Sequence, residues 1–129
     1  MSFAFGKRSE SNLVGVNRTL VACARRALEI TPVDFTVIEG LRSVERQREL
    51  VAQGKSQTMA SRHIDGCAID IFPVGGTWEV SEFIPVLKAF KQAADELGVT
   101  LRFGINWKND PTLPIETKFI DAPHVELPR

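Results

Sequence analysis

The chain holds only two histidines. His63 falls in Ser61-Arg62-His63-Ile64-Asp65-Gly66-Cys67-Ala68-Ile69-Asp70, and His124 in Asp121-Ala122-Pro123-His124-Val125-Glu126-Leu127. Both imidazoles therefore stand beside carboxylates, in segments that read as loop-to-strand transitions. His63, Asp70 and His124 make a set of two imidazoles and one carboxylate, the kind that holds a zinc ion and leaves one position open for water. Gly66 lets the backbone bend between the first two, and Ala68 is too small to crowd a metal. Zinc in such a site brings the pKa of bound water to ~7, and a base beside it completes a hydrolase. Asp121 is the first candidate for that base, set before His124 across a rigid Ala122-Pro123 turn. Glu126 is the second. Two residues past His124 on a strand, it shares that face and reads better as a group that orients a ligand or closes an ion pair.

Elements of both kinds must bring these residues together. Leu13, Val16, Leu20, Ala24 and Leu28 recur at helical steps and predict one helix over residues 11–29, ended by Thr31-Pro32. A short strand follows over residues 35–38. Ser43 is a good N-cap for the next helix, with Glu45 in its first turn and Gly54 as its stop. Val44, Gln47, Leu50 and Val51 form its inward side, which leaves Arg46 and Arg48 wet. Residues 55–60 read as a polar loop that delivers the chain to His63.

Residues 66–72 read as a strand in which Ala68 and Asp70 share one face while Cys67, Ile69 and Ile71 fill the other. A carboxylate on a half-buried strand face needs a partner, because burying it alone costs several kcal/mol. Ser81 is expected to cap a long helix carrying Phe83, Val86, Leu87, Phe90, Ala94 and Leu97, with Gly98 as its stop. A strand over 100–103, a surface loop over 104–116 and a last strand over 124–127 complete the chain. Trp78 and Trp107 flank the loops, and Trp107 is the better candidate for contact with a ligand. The strands are short and their connections leave little room for crossover helices. The expected fold is α+β, a small mainly antiparallel sheet with helices packed on one side.

Composition narrows the function. The 129 residues suit one domain with one core. Sixteen basic and sixteen acidic side chains cancel, so no global field favours nucleic acid. No apolar run approaches the roughly 20 residues of a membrane helix, and the N-terminus lacks the apolar centre of a secretory signal. Cys23 and Cys67 make no disulfide framework and read as small buried hydrophobes.

Ser61-x-His63-x-x-Gly66-x-Ala68-x-Asp70, followed distally by Asp121-x-x-His124-x-Glu126-Leu127, resembles the zinc D-alanyl-D-alanine carboxypeptidase and L-alanyl-D-glutamate endopeptidase family. Gly40-Leu41-Arg42-Ser43, with Gln47, Leu50 and Gly54, is similar to that family's upstream segment. The likeness spans most of the chain and is nearest to the phage endolysins. It implies His63, Asp70 and His124 as zinc ligands and Asp121 as the acid/base. It implies Arg42 beside the substrate carbonyl, and Ser61 as a loop-shaping or substrate-side hydroxyl. It also implies a monomeric enzyme that cuts the peptide stem of peptidoglycan, kept in the host cytoplasm until a holin opens the membrane. Val125 departs from the aromatic residue of many relatives, a difference expected to touch local packing and the substrate wall. A carboxypeptidase acting on D-alanyl-D-alanine ends and a non-catalytic wall-binding module are the two alternatives. Asp121 argues against the second, because a structural zinc site has no use for a spare carboxylate.

Overall fold

The computed structural model describes residues 3–56 and 58–128. Met1, Ser2 and Gln57, which the N-terminal and loop readings included, lie outside them. The elements in order are α1 (Lys7–Leu13), α2 (Arg18–Ile30), β1 (Phe35–Glu39), α3 (Val44–Ala52), β2 (Ala68–Pro73), α4 (Val80–Leu97), β3 (Arg102–Phe103) and β4 (His124–Glu126). The strands form one sheet in the order β1-β2-β4-β3, and every neighbouring pair is antiparallel. This is the α+β architecture expected from the sequence.

Strand alternation divides the sheet into two faces of different chemistry. Phe35, Val37, Ile69, Ile71, Phe103 and Val125 belong to the apolar core. α2 and α4 pack against each other and supply Leu20, Ala24, Leu28, Phe83, Leu87 and Phe90 to it. Each fully buried Leu, Ile, Val or Phe among them contributes roughly 1.5–3 kcal/mol of hydrophobic stabilisation before its entropy cost. Val125 lies in this core, on the opposite side of β4 from its neighbours His124 and Glu126. Its departure from an aromatic therefore concerns core packing and not a substrate wall.

The single N-terminal helix of the sequence reading is two helices. The expected apolar residues are all buried, but Gly15 sits at φ +83° and interrupts the hydrogen-bond ladder. Asn17 then restarts it as N-cap of α2, its side chain accepting from the Thr19 N–H at 2.9 Å. Ser43 caps α3 as expected, accepting from the Arg46 N–H. Val44, assigned to the inward side of α3, is exposed, whereas Gln47 and Leu50 are buried. Ser81 lies inside the helix and is not its cap: α4 begins two residues earlier than such a cap would set, with Glu79 at its N-cap. The Glu82 carboxylate instead accepts from the Thr77 N–H and hydroxyl and ties down the loop before α4. Gly98 ends α4 in the left-handed region, as expected.

The segment after β3 is less superficial than its composition suggests. Ile105 is in the core and Asn106 is buried. The Asn106 side chain donates to the carbonyls of Asp110 and Leu113 and accepts from the Lys108 N–H, so one amide organises the whole turn. Cys67 is only half-buried, whereas Cys23 is fully buried, and both are free thiols.

Candidate metal centre

Register assembles the centre. In the β2–β4 ladder Asp70 stands directly opposite His124, and Ala68 opposite Glu126. The β3–β4 ladder sets Arg102 opposite Glu126. All these residues occupy the face turned away from the core helices, and a slip of one residue would turn them inward. His63 arrives from the loop before β2. Its position is set by backbone bonds on both sides: the Arg42 N–H donates to the His63 carbonyl, and the His63 N–H donates to Ser61 Oγ.

Each imidazole has one nitrogen occupied and the other aimed at Asp70. His63 Nδ1–H donates to the Gly40 carbonyl at 2.9 Å, which leaves Nε2 at 3.2 Å from Asp70 Oδ1. His124 Nε2–H donates to Glu126 Oε1 at 2.7 Å, which leaves Nδ1 at 3.5 Å from the same Asp70 oxygen. The ligand atoms of His63, Asp70 and His124 all lie within 4.8 Å of one another, and all three side chains are largely buried. Donors on adjacent corners of a zinc tetrahedron stand about 3.4 Å apart, given bond lengths of about 2.0–2.2 Å. The residues therefore fit a tetrahedral divalent cation. The bonds to Gly40 and Glu126 are the outer supports that fix tautomer and ring orientation in metal-ligating histidines.

The electrostatics reflect how closely these groups are packed. Burial opposes the Asp70 charge, but the two imidazoles outweigh it and hold its carboxyl well below the usual range. Burial also opposes an imidazolium at His124, yet hydrogen bonds to Asp70 and Glu126 push its pKa up to about 9. Asp121 approaches His124 Nδ1 at 3.9 Å without joining the ligand set. Burial and the neighbouring Asp70 charge raise its pKa to about 6, against the opposing pull of His124, His63 and Arg42. A carboxylate with that pKa is ionised at neutral pH and basic enough to accept a proton from water.

A family model described as phage L-alanyl-D-glutamate peptidase matches residues 1–128. The chain belongs to this family. It is 43% identical over 136 aligned positions to the L-alanyl-D-glutamate peptidase of Escherichia phage T5, covering 98% of this chain and 99% of that protein. Its fold superposes on the crystal structure of the Serratia marcescens L-Ala D-Glu endopeptidase ChiX with a TM-score of 0.83 at 41% identity, over 98% of this chain and 91% of the other.

In this member of the family the centre opens into a cleft of about 580 Å³. Arg42, Ser61, Trp107 and Asp121 line it together with the three ligand candidates, so these expected site residues come together in one place. Glu126 stands behind His124 and is not in the lining. Arg42 is less free than expected. Its Nε and Nη2 donate to the two carboxylate oxygens of Glu39 at 2.7 and 2.8 Å, and Nη1 donates to Gln47 Oε1 at 2.7 Å. Nη2 remains 3.7 Å from Asp70, so the guanidinium still faces the centre. Trp107 adopts φ +59°, unusual for a residue with a side chain. Its indole N–H donates to the Phe119 carbonyl, its ring lies parallel to that of Phe119, and Arg102 sits 4.9 Å above it. Trp78, at φ +72° and 58% exposed, covers Phe72 and takes no part in the cleft.

Sequence reasoning missed Glu39, Lys55, Arg62, Arg102 and Phe119 as cleft residues; Arg62 stood inside the His63 segment itself, whereas Arg102 reaches the cleft only through the pairing of β3 with β4. Gln47 did leave a signal: a lone amide on the inward face of an amphipathic helix. Fully buried, it accepts from Arg42 and donates to Ser56 Oγ and the Thr58 carbonyl.

Proposed function

We propose that this chain is a zinc-dependent endopeptidase that hydrolyses the L-alanyl-D-glutamate bond of the peptide stem of bacterial peptidoglycan. The observation that carries the reading is the coincidence of three buried donors within 4.8 Å of one another with an Asp121 carboxylate of raised pKa beside them. The bond it cuts is inferred from the two relatives, an L-alanyl-D-glutamate peptidase and an L-Ala D-Glu endopeptidase.

His63, Asp70 and His124 would hold the ion through Nε2, a carboxylate oxygen and Nδ1. Zinc there supplies an acidified water and a Lewis acid for the scissile carbonyl. Asp121 takes the proton from water and returns it to the departing amine, the role its near-neutral pKa suits. Arg42 offers one of the two N–H groups not used by Glu39 and Gln47 to the developing oxyanion. The Trp107 ring provides an apolar wall for the substrate, and Ser61 shapes the turn into His63 and presents its hydroxyl to the cleft. Glu126 holds the His124 ring with Nδ1 turned toward Asp70, the orientation in which Nδ1 would be free to ligate.

We further infer one catalytic domain, since one continuous core draws on α1, α2, α4 and the whole sheet, and we take it to act as a monomer. No helix among the described residues is long and apolar enough to cross a membrane. Storage in the host cytoplasm and release through a holin follow from the family's phage endolysins. Digestion of defined muropeptides tests the activity: new N-terminal glutamate supports it, and free D-alanine contradicts it. Chelation should abolish cleavage and zinc should restore it. Unaltered cleavage after complete metal removal would rule out a catalytic ion.

A further inference from the structure

Four cationic side chains line the cleft: Arg42, Lys55, Arg62 and Arg102. Three have a carboxylate partner within the chain. Arg42 is clamped by Glu39, Arg62 Nη1 lies 3.0 Å from Asp65, and Arg102 Nη1 lies 3.6 Å from Glu126 while its guanidinium covers Trp107. The Lys55 ammonium has no hydrogen-bond or ion-pair partner among the described residues. The segment that carries it is nevertheless anchored. The Lys55 N–H donates to the Leu50 carbonyl at 2.9 Å, and the next residue, Ser56, accepts from Gln47 Nε2 at 2.8 Å. Buried Gln47 is in turn bonded to Arg42, so the Lys55 backbone is tied to the metal-facing guanidinium through two side-chain hydrogen bonds.

The substrate chemistry supplies what such a cation lacks. In an L-alanyl-D-glutamate bond the glutamate nitrogen belongs to the scissile amide. One glutamate carboxyl continues the stem, and the other is left as a carboxylate within a few bonds of the reacting carbon. We propose that Lys55 is the specificity determinant that pairs with this free carboxylate and favours stems in which it has not been amidated. The inference rests on the peptidase reading above. A flexible ammonium, a point charge on a four-carbon stem, suits a carboxylate whose exact position varies between stems better than a clamped guanidinium does.

The test uses the zinc-loaded enzyme and two synthetic peptides with the same L-alanyl-D-glutamyl bond, one with the second glutamate carboxyl free and one with it as a carboxamide. Wild type should favour the free carboxylate by about fivefold in kcat/KM, the size an ion pair open to solvent supports. The preference should reside in KM and shrink as ionic strength rises. Lys55→Met should bring the ratio to about one, and Lys55→Arg should retain most of it. A wild-type ratio of one, or the same ratio in Lys55→Met, overturns the assignment while leaving the peptidase intact. If zinc-loaded wild type cuts neither peptide, the peptidase reading itself fails and the role of Lys55 falls with it.

Discussion

Asp121 and Asp70 are both aspartates within reach of the same imidazole, yet their environments drive them apart. Asp70 is held ionised between His63 and His124, while Asp121 is raised by burial and by the charge of Asp70 itself. The division suggests one ligand and one proton carrier. Asp121→Ala should therefore retain bound zinc by elemental analysis and lose about 10²–10⁴-fold in kcat. His63→Ala should lose metal and activity together. An Asp121→Ala enzyme of undiminished activity would refute the division. Glu126 acts one bond further out, by holding the Nε2 proton of His124 at 2.7 Å. Glu126→Gln should weaken zinc about 10–100-fold in a competition titration against a chromophoric chelator.

At the scale of elements, the centre depends on how closely the turn after β3 approaches β4. The Gly104 N–H donates to the His124 carbonyl, and the Asp121 N–H donates to the Gly104 carbonyl, each at 2.8 Å. A β-carbon at Gly104 would meet the Asp121 carbonyl and come within 2.7 Å of the His124 β-carbon. Relief would have to move the base and a ligand together. Gly104→Ala is expected to lower the unfolding free energy by about 1–3 kcal/mol, and to lower kcat by a larger factor than metal affinity. Thermal denaturation beside steady-state kinetics reads both. Equal Tm and kcat in the variant would show that the turn yields without disturbing the centre.

Over the whole molecule, the centre makes stability depend on pH and on metal. In the metal-free chain His124 has a pKa of about 9 against 6.5 when unfolded. A raised folded-state pKa means that folding favours the protonated form. The stability it contributes is fully present below about pH 6.5 and is lost as pH rises through 9. The metal-free protein should therefore show a Tm that falls across pH 6.5–9. Zinc requires a neutral imidazole, so the loaded protein should lack that decline, and loading near neutral pH should release protons in a weakly buffered titration. A metal-free Tm that stays flat across this window would contradict the imidazolium at His124. Zinc at about a thousandfold excess over its Kd adds about 4 kcal/mol to folding, a rise in Tm of roughly fifteen degrees.

The α+β class was legible from residue types and spacing, and so were the candidate ligands His63, Asp70 and His124 and the candidate base Asp121 that the structure brings together, because few side chain types can hold a metal and their local segments alternate cleanly. Val16 and Leu20 were correctly assigned to the core, but their shared helical period hid the break at Gly15, since periodicity continues across a turn that keeps the same face inward. The role of Ser81 was misjudged because several residues near a helix start can cap it, and which one does depends on where packing begins the helix. Which nitrogen of each histidine faces Asp70, the clamp of Glu39 on Arg42, and the stacking of Trp107 on Phe119 could come only from the tertiary structure. Those features join residues far apart in sequence or depend on ring orientation. Strand register and close backbone approach select them, and neither is written in the order of the amino acids.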